Sequence, residues 1–221
     1  MTTPLPLADR RTAGKLLAAQ LMHLQADNPL VLALPRGGVP VAFEIATALD
    51  AELDLLMVRK LGAPGNSEFA IGAVVDGEEP QLVLNPETSK LFAPGNVYLE
   101  QEKRAQIAEL ERRRHAYVGK RHKPHIAGRT VIIVDDGIAT GATITAAIRG
   151  ARMAGAARLV AGVPVAARDT FRRLQPLCDE MVVLAMPEPF LSVGQHYRDF
   201  SQTTDAEVIR LLALARKQAE G

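Results

Sequence analysis

One segment constrains this chain more than any other: Val131–Thr143, VIIVDDGIATGAT. The run Val131–Val134 has no polar face, which predicts a strand buried on both sides of a sheet. It ends on two adjacent carboxylates, Asp135 and Asp136. A turn follows, with Gly137 and Gly141 around Ile138, Ala139 and Thr140. Ala142 and Thr143 then lead into a helix expected over Ile144–Ala154. Glycine permits positive φ and lets backbone approach a ligand closely. Successive N–H groups ahead of a helix N-terminus make an anion cradle, and Thr140 and Thr143 can add hydroxyl donors. Each charge-assisted hydrogen bond contributes roughly 1.5–3 kcal/mol, so a few of them hold a phosphate firmly. Carboxylates beside such a cradle repel the anion unless they serve another part of the ligand. They can accept from sugar hydroxyls, as acidic residues do in dinucleotide sites, or ligate a metal ion. A ribose 5-phosphate suits both halves of the segment.

The same unit, apolar run then small-residue turn then helix, recurs along the chain. Leu30–Leu34 reads as a strand, followed by PRGGVP and a helix over Val41–Leu49. Leu53–Val58, Leu159–Val163 and Met181–Ala185 are further strand candidates. Apolar runs alternating with helices predict an α/β fold: a mainly parallel twisted sheet with helices on both faces. In such sheets ligands sit at the carboxyl ends of the strands, where both glycine-bearing turns fall. Three stretches break the pattern. Gly62–Ile71 (GAPGNSEFAI) reads as a mobile loop, with Gly72–Val75 and Gln81–Leu84 a hairpin around DGEE. Tyr98–Arg121 is a long charged helix with Glu100, Arg104, Glu109 and Arg113 spaced for salt links. Pro187–Phe200 has little periodicity, and the helix after it, Asp205–Gln218, opens on a capping pattern, Thr204 with Glu207. Residues 1–221 are expected to form one domain, with a core over 26–185, a flexible loop over 61–84 and a small C-terminal hood over 186–204.

Composition limits the function classes. Hydrophobic residues make up 48% of the chain, enough for a buried core, and the net charge is +1. That balance excludes a nucleic-acid binder relying on a basic excess. The opening residues have no apolar region of the kind a signal peptide needs, and no apolar run approaches the ~20 residues that span a bilayer. With one cysteine, Cys178, read as a small buried residue, a cytoplasmic location is the expectation. Neither GxxxxGK[ST] nor GxGxxG occurs.

The Val131–Thr143 run resembles the signature of the type I phosphoribosyltransferases, which bind 5-phosphoribosyl-1-pyrophosphate (PRPP). By that resemblance Asp135 and Asp136 hold the ribose hydroxyls, and Gly137, Ile138, Ala139, Thr140, Gly141, Ala142 and Thr143 hold the 5-phosphate. Leu34–Gly38 (LPRGG) then looks like the family's pyrophosphate loop, with Arg36, Gly37 and Gly38 meeting pyrophosphate and a non-proline cis peptide near Pro35–Gly37. Arg59 and Lys60 correspond to the basic position that reaches pyrophosphate. Leu61–Ala73 corresponds to the flexible catalytic loop, with Asn66, Glu68 and Phe69 as contacts. Arg36, Lys60 and Glu68 are the catalytic candidates. The chain is also similar, from about residue 8 to residue 212, to a narrower group of phosphoribosyltransferases sharing LPRGG, VRKLGAPGNxEFAIGAV, VDDGxATGAT and a closing VGxxYxDF-like segment.

The resemblance implies transfer of a phosphoribosyl group from PRPP to a nitrogen acceptor, a nucleobase first among them. Mg²⁺ would be held largely by substrate and water, with Asp135 and Asp136 as its only candidate protein ligands, and the assembly would be a homodimer. In the hood, Phe190, Tyr197 and Phe200 either stack on a base or pack the tail on the core. His196 is either a general acid–base or structural. The rival readings are a PRPP- or nucleotide-sensing regulator, a phosphohydrolase using Asp135 as nucleophile, and a sugar-phosphate isomerase or kinase-like domain. The second rival wants further acidic residues at strand ends, and Asp54 lies inside its strand. The third wants an ATP loop.

Overall fold

The structure is a computed structural model that describes residues 4–219; the side chains of Ser67, Glu68 and Ala219 lie outside the described set. The alternation of apolar runs and helices resolves into a five-stranded parallel sheet in the order β2-β1-β6-β7-β8. Its strands are β1 (Leu30–Ala33), β2 (Glu52–Leu55), β6 (Thr130–Val134), β7 (Arg158–Val165) and β8 (Glu180–Ala185). Residues along each strand alternate between two cores. Val31, Ala33, Ile132 and Val134 face α1 (Arg10–Leu21), α2 (Gly38–Leu49) and α7 (Asp205–Ala219). Leu30, Leu32, Val131 and Ile133 face α5 (Ala142–Met153) and α6 (Arg168–Leu174). Helix α2 is apolar almost all round because it is sandwiched between the sheet and two other helices.

Numbered within the sheet, the strand order is the doubly wound 2-1-3-4-5. Its switch point falls between β1 and β6, whose following helices leave toward opposite faces and open a crevice at the strands' carboxyl ends. The core reaches beyond the expected 26–185: Leu17 and Leu21 of α1 and Val208, Leu211 and Leu212 of α7 are all buried in it.

Two expectations are corrected at the hairpin. Leu53–Val58 is not one strand; it breaks at Leu56–Met57, and β3 (Val58–Ala63) begins a second sheet. Gly62–Ile71 is not an irregular loop. It turns at Pro64–Gly65, where Gly65 has φ +72°, and continues as β4 (Asn66–Val75), which pairs antiparallel with β3 and with β5 (Gln81–Leu84). Short α3 (Pro86–Phe92) follows, capped by Asn85, and leads to α4 (Asn96–Val118), the long charged helix. Of its expected salt links, Glu109 is realised, paired with Arg112 and Arg113. Buried Arg114 ties α4 to Asp54 of β2 at 2.8 Å and to Asp76 at 3.5 Å. The Thr204 cap is present, its hydroxyl accepting from the Glu207 amide at 3.1 Å. Among the described residues, no helix is long and apolar enough to cross a membrane.

Candidate functional site

Strand β6 carries Asp135 and Asp136 to the mouth of the switch-point crevice, and the turn after them is built as a cradle. Ile138 bridges Ala166 beyond β7, its amide donating to the Val165 carbonyl at 2.8 Å, so the turn hangs from the sheet. Gly141 takes φ +76° and caps α5 without a side-chain bond. The first intrahelical bond of α5 runs from the Thr145 amide to the Gly141 carbonyl at 2.9 Å. The amides of Ala142, Thr143 and Ile144 therefore remain available at the positive end of the helix dipole. Helix α6 braces the turn from outside: the Thr170 hydroxyl donates to the Ala139 carbonyl at 2.7 Å and Arg173 to the Thr140 carbonyl at 3.0 Å. Ala139, Thr140, Ala142 and Thr143 are exposed, so the cradle opens to solvent.

The loop after β1 lies directly against this turn. A Cβ on Gly37 would collide with the Asp136 carboxylate, and one on Gly38 would sit 2.6 Å from the Val134 carbonyl oxygen. Glycine at both places is what lets the two loops meet. The Pro35–Arg36 peptide is cis, where a non-proline cis bond was expected. Arg36 reaches outward to Asp205 at 3.4 Å, and the Tyr117 hydroxyl donates to the same carboxylate at 2.8 Å.

The two aspartates differ. Asp135 is recessed, and its Oδ1 accepts from the Asp136 amide at 2.9 Å. Burial first, then the neighbouring Asp136 charge, raises its carboxyl well above the ordinary range. Asp136 is bonded to Arg10 at 2.8 Å, with side-chain exposures of 14% and 11% for the two partners. Its backbone carbonyl accepts from the Tyr197 hydroxyl at 2.6 Å.

The structure thus brings together Asp135–Thr143, Arg36, Gly37, Gly38 and Tyr197. It separates others. Arg59 and Lys60 are consecutive in β3 and point to opposite faces. Arg59 is bonded to Gln106 of α4 at 2.7 Å, while Lys60 is exposed. The side chain of Glu68 lies outside the described residues. Phe69 packs against Phe92 of α3, the ring centroids 5.6 Å apart and the planes tilted by 46°. Tyr197 is buried, its ring packed 5.1 Å from that of Phe200, so it packs the tail on the core; burial and then Asp136 push its hydroxyl pKa up. Phe190 covers His196 at 4.8 Å, and burial lowers that imidazole's pKa, which favours its neutral form. Cys178 is half-buried, and burial pushes its thiol up, away from nucleophilic character. Asp54, bound to Arg114, is a structural anion. Sequence reasoning missed Arg10, Thr170 and Arg173. Nothing local distinguishes Arg10 from Arg11, and the site partners of all three, Asp136, Ala139 and Thr140, lie 31 or more positions away.

Among the described residues no group of three or more His, Cys, Asp or Glu side chains is arranged to hold a metal ion. The acidic pair offers two carboxylates at most, which fits an ion brought in by a phosphorylated ligand better than a protein cage. A cavity of about 430 Å³ lined by Glu78, Ile126, Met153 and Ala154 lies by the sheet's amino edge, away from this site.

A parallel sheet whose switch point joins an open helix N-terminus, an acidic pair and a glycine loop defines a doubly wound α/β domain with its crevice at the strands' carboxyl ends. The comparisons give the family. The phosphoribosyl transferase domain model matches residues 10–182, and the chain belongs to that family of pentosyltransferases. A Mycobacterium tuberculosis (strain H37Rv) protein called "Putative phosphoribosyl transferase" is 44% identical over 209 residues, covering 95% of this chain and 47% of the relative. The chain therefore spans about half the length of the curated relatives it matches. The solved structure of TT1426 from Thermus thermophilus is 45% identical, with TM-score 0.82, over 94% of this chain and 98% of that one. A hypoxanthine phosphoribosyltransferase from Staphylococcus aureus shares the fold at 14% identity and TM-score 0.50, over 92% of this chain and 89% of that one.

Proposed function

We propose that this chain transfers the 5-phosphoribosyl group of PRPP to a nitrogen acceptor, a nucleobase in the first instance, and releases pyrophosphate. The observation that carries the proposal is the contact between the two loops at the switch point, which sets Asp136 against Gly37 beside an open helix N-terminus. In this reading the α5 cradle takes the 5-phosphate, Asp135 and Asp136 take the ribose hydroxyls, and Arg36 with the amides of Gly37 and Gly38 takes the pyrophosphate. The bond from C1 to the pyrophosphate oxygen breaks, and the oxygen keeps the electron pair. The acceptor nitrogen attacks the opposite face and gives up its proton. Positive charge grows on the ring meanwhile, so the site's contribution is orientation, stabilisation of the leaving anion and exclusion of water. Mg²⁺, when bound, neutralises pyrophosphate charge. Lys60 and Glu68 belong to a hairpin suited to cover the site, with Arg59 anchoring it to α4.

A second reading is favoured by one observation, the commitment of Asp136 to Arg10: a PRPP- or nucleotide-sensing protein without transfer would keep the cradle and use its acid to hold the tail. The two readings separate when the protein is incubated with PRPP, Mg²⁺ and a panel of purine and pyrimidine bases while pyrophosphate is measured. Release that depends on one base, with the matching nucleotide formed, supports transfer. Tight PRPP binding without release for any base supports sensing. Absence of PRPP binding contradicts both.

A further inference from the structure

Two segments at the margins of the matched domain meet at the acidic pair. The Leu7 amide donates to the His196 carbonyl at 2.8 Å, the Arg198 amide to the Leu7 carbonyl at 2.7 Å, and the Asp199 amide to the Ala8 carbonyl at 3.0 Å. This short parallel pairing delivers Arg10 and Tyr197 to the same residue. Arg10 uses Nε for the Asp136 carboxylate at 2.8 Å and Nη1 for the Ser201 carbonyl at 2.7 Å. The face of its guanidinium lies 3.9 Å from the centroid of the Phe200 ring. The Tyr197 hydroxyl donates to the backbone carbonyl of Asp136, and its ring lies 5.1 Å from that of Phe200. One planar cation is thus shared between the ribose-side carboxylate and the hood. A guanidinium fixed on three sides cannot turn toward or away from Asp136 without loosening the Ser201 and Phe200 contacts.

We infer that Arg10 is a positioning residue of the ribose site, and that residues 5–10 with 196–201 form a clasp that transmits ribose occupancy to the hood. The inference rests on the phosphoribose reading of Asp136. A hydroxyl that donates to Asp136 shares that carboxylate with Arg10 and fixes its orientation, which holds Arg10, Ser201 and Phe200 in one arrangement. By linkage, a tighter hood must in turn favour the sugar. The cradle's own amides belong to α5 and do not pass through the clasp, so a bare phosphate is indifferent to it.

The test is calorimetry with ribose 5-phosphate, inorganic phosphate and pyrophosphate, joined to hydrogen exchange of residues 196–201. In the wild-type chain, ribose 5-phosphate is expected to slow exchange across 196–201. Arg10→Gln is expected to weaken ribose 5-phosphate roughly tenfold or more, to leave phosphate and pyrophosphate within about twofold, and to abolish the added protection. Arg10→Lys keeps the charge without the fork. It should keep part of the affinity and lose the protection, which preserves the test if Arg10→Gln fails to fold. An unchanged ribose 5-phosphate affinity, an equal loss for inorganic phosphate, or protection that persists in both variants would overturn the inference alone. A wild-type chain that binds phosphate but no ribose 5-phosphate would overturn the phosphoribose reading and this inference together.

Discussion

Asp135 and Asp136 are neighbours in sequence whose surroundings give them different chemistry. The adjacency, and its place at the end of an apolar run, were legible in the sequence. The asymmetry was not, because it comes from Arg10, 126 positions away, and from the depth of the crevice. Asp135 is raised by burial first and by the Asp136 charge second. Folded, it holds its proton at pH values where the unfolded chain, with a carboxyl near ~3.9, has lost it. The native state then binds more protons, so stability falls as pH climbs from the unfolded value through the raised one. Asp135→Asn removes the titration. Its melting midpoint is predicted to equal or exceed wild type at neutral pH and to vary less with pH, while ribose 5-phosphate affinity drops roughly tenfold or more. A variant that melts with the wild-type pH slope would contradict this account of the pair.

At the scale of elements, the strands of the parallel sheet and helices α2, α5 and α7 follow from apolar periodicity and turn residues. The pairing of Gly72–Val75 with Gln81–Leu84 around DGEE follows as well. The pairing of β3 with the start of β4 did not, because it is irregular at Leu61–Ala63 and glycine and proline fill its turn, so alternation is broken where a strand signal is read. Helices α3 and α6 are too short to show a period, and α1 offers small residues, Ala13, Gly14 and Ala18, where a helix stripe would show large ones. The cradle depends on one such element, α6, through Thr170. Gly141 has positive φ, and a Cβ there would sit 2.6 Å from the Thr170 methyl carbon. Gly141→Ala is predicted to cost about 1–3 kcal/mol of stability and to weaken phosphate binding more than tenfold, measured by denaturation and phosphate calorimetry. Phosphate affinity within twofold of wild type would show that the anion sits elsewhere.

The whole molecule places its site by topology. Two strands that feed helices on opposite faces leave a crevice between them, and every residue the proposed chemistry needs at the cradle comes from the loops after those strands and the first turns of the helices they feed. The hairpin and α4 are held to this frame by a buried charge cluster of Asp54, Asp76, Arg114 and Lys123. Arg114→Leu leaves Asp54 buried without its cation, which costs about 3–5 kcal/mol and should lower the melting midpoint by roughly 10 °C in a chain of this size. A change under about 2 °C would mean the cluster contributes little. The resemblance in the sequence reached the family and the phosphate loop because those signals are local. It reached Tyr197 through the closing VGxxYxDF-like segment but not Leu7, Arg10 and Ser201, whose contacts arise only where residues 7–10 meet 196–201. The central claim, that this crevice holds a phosphoribose, is tested most directly by titrating PRPP with Mg²⁺ into the wild-type chain and into the Asp135→Asn, Asp136→Asn double variant. Saturable binding by the first and loss of at least about a hundredfold by a still-folded second is the predicted result; equal affinity in the two proteins would contradict it.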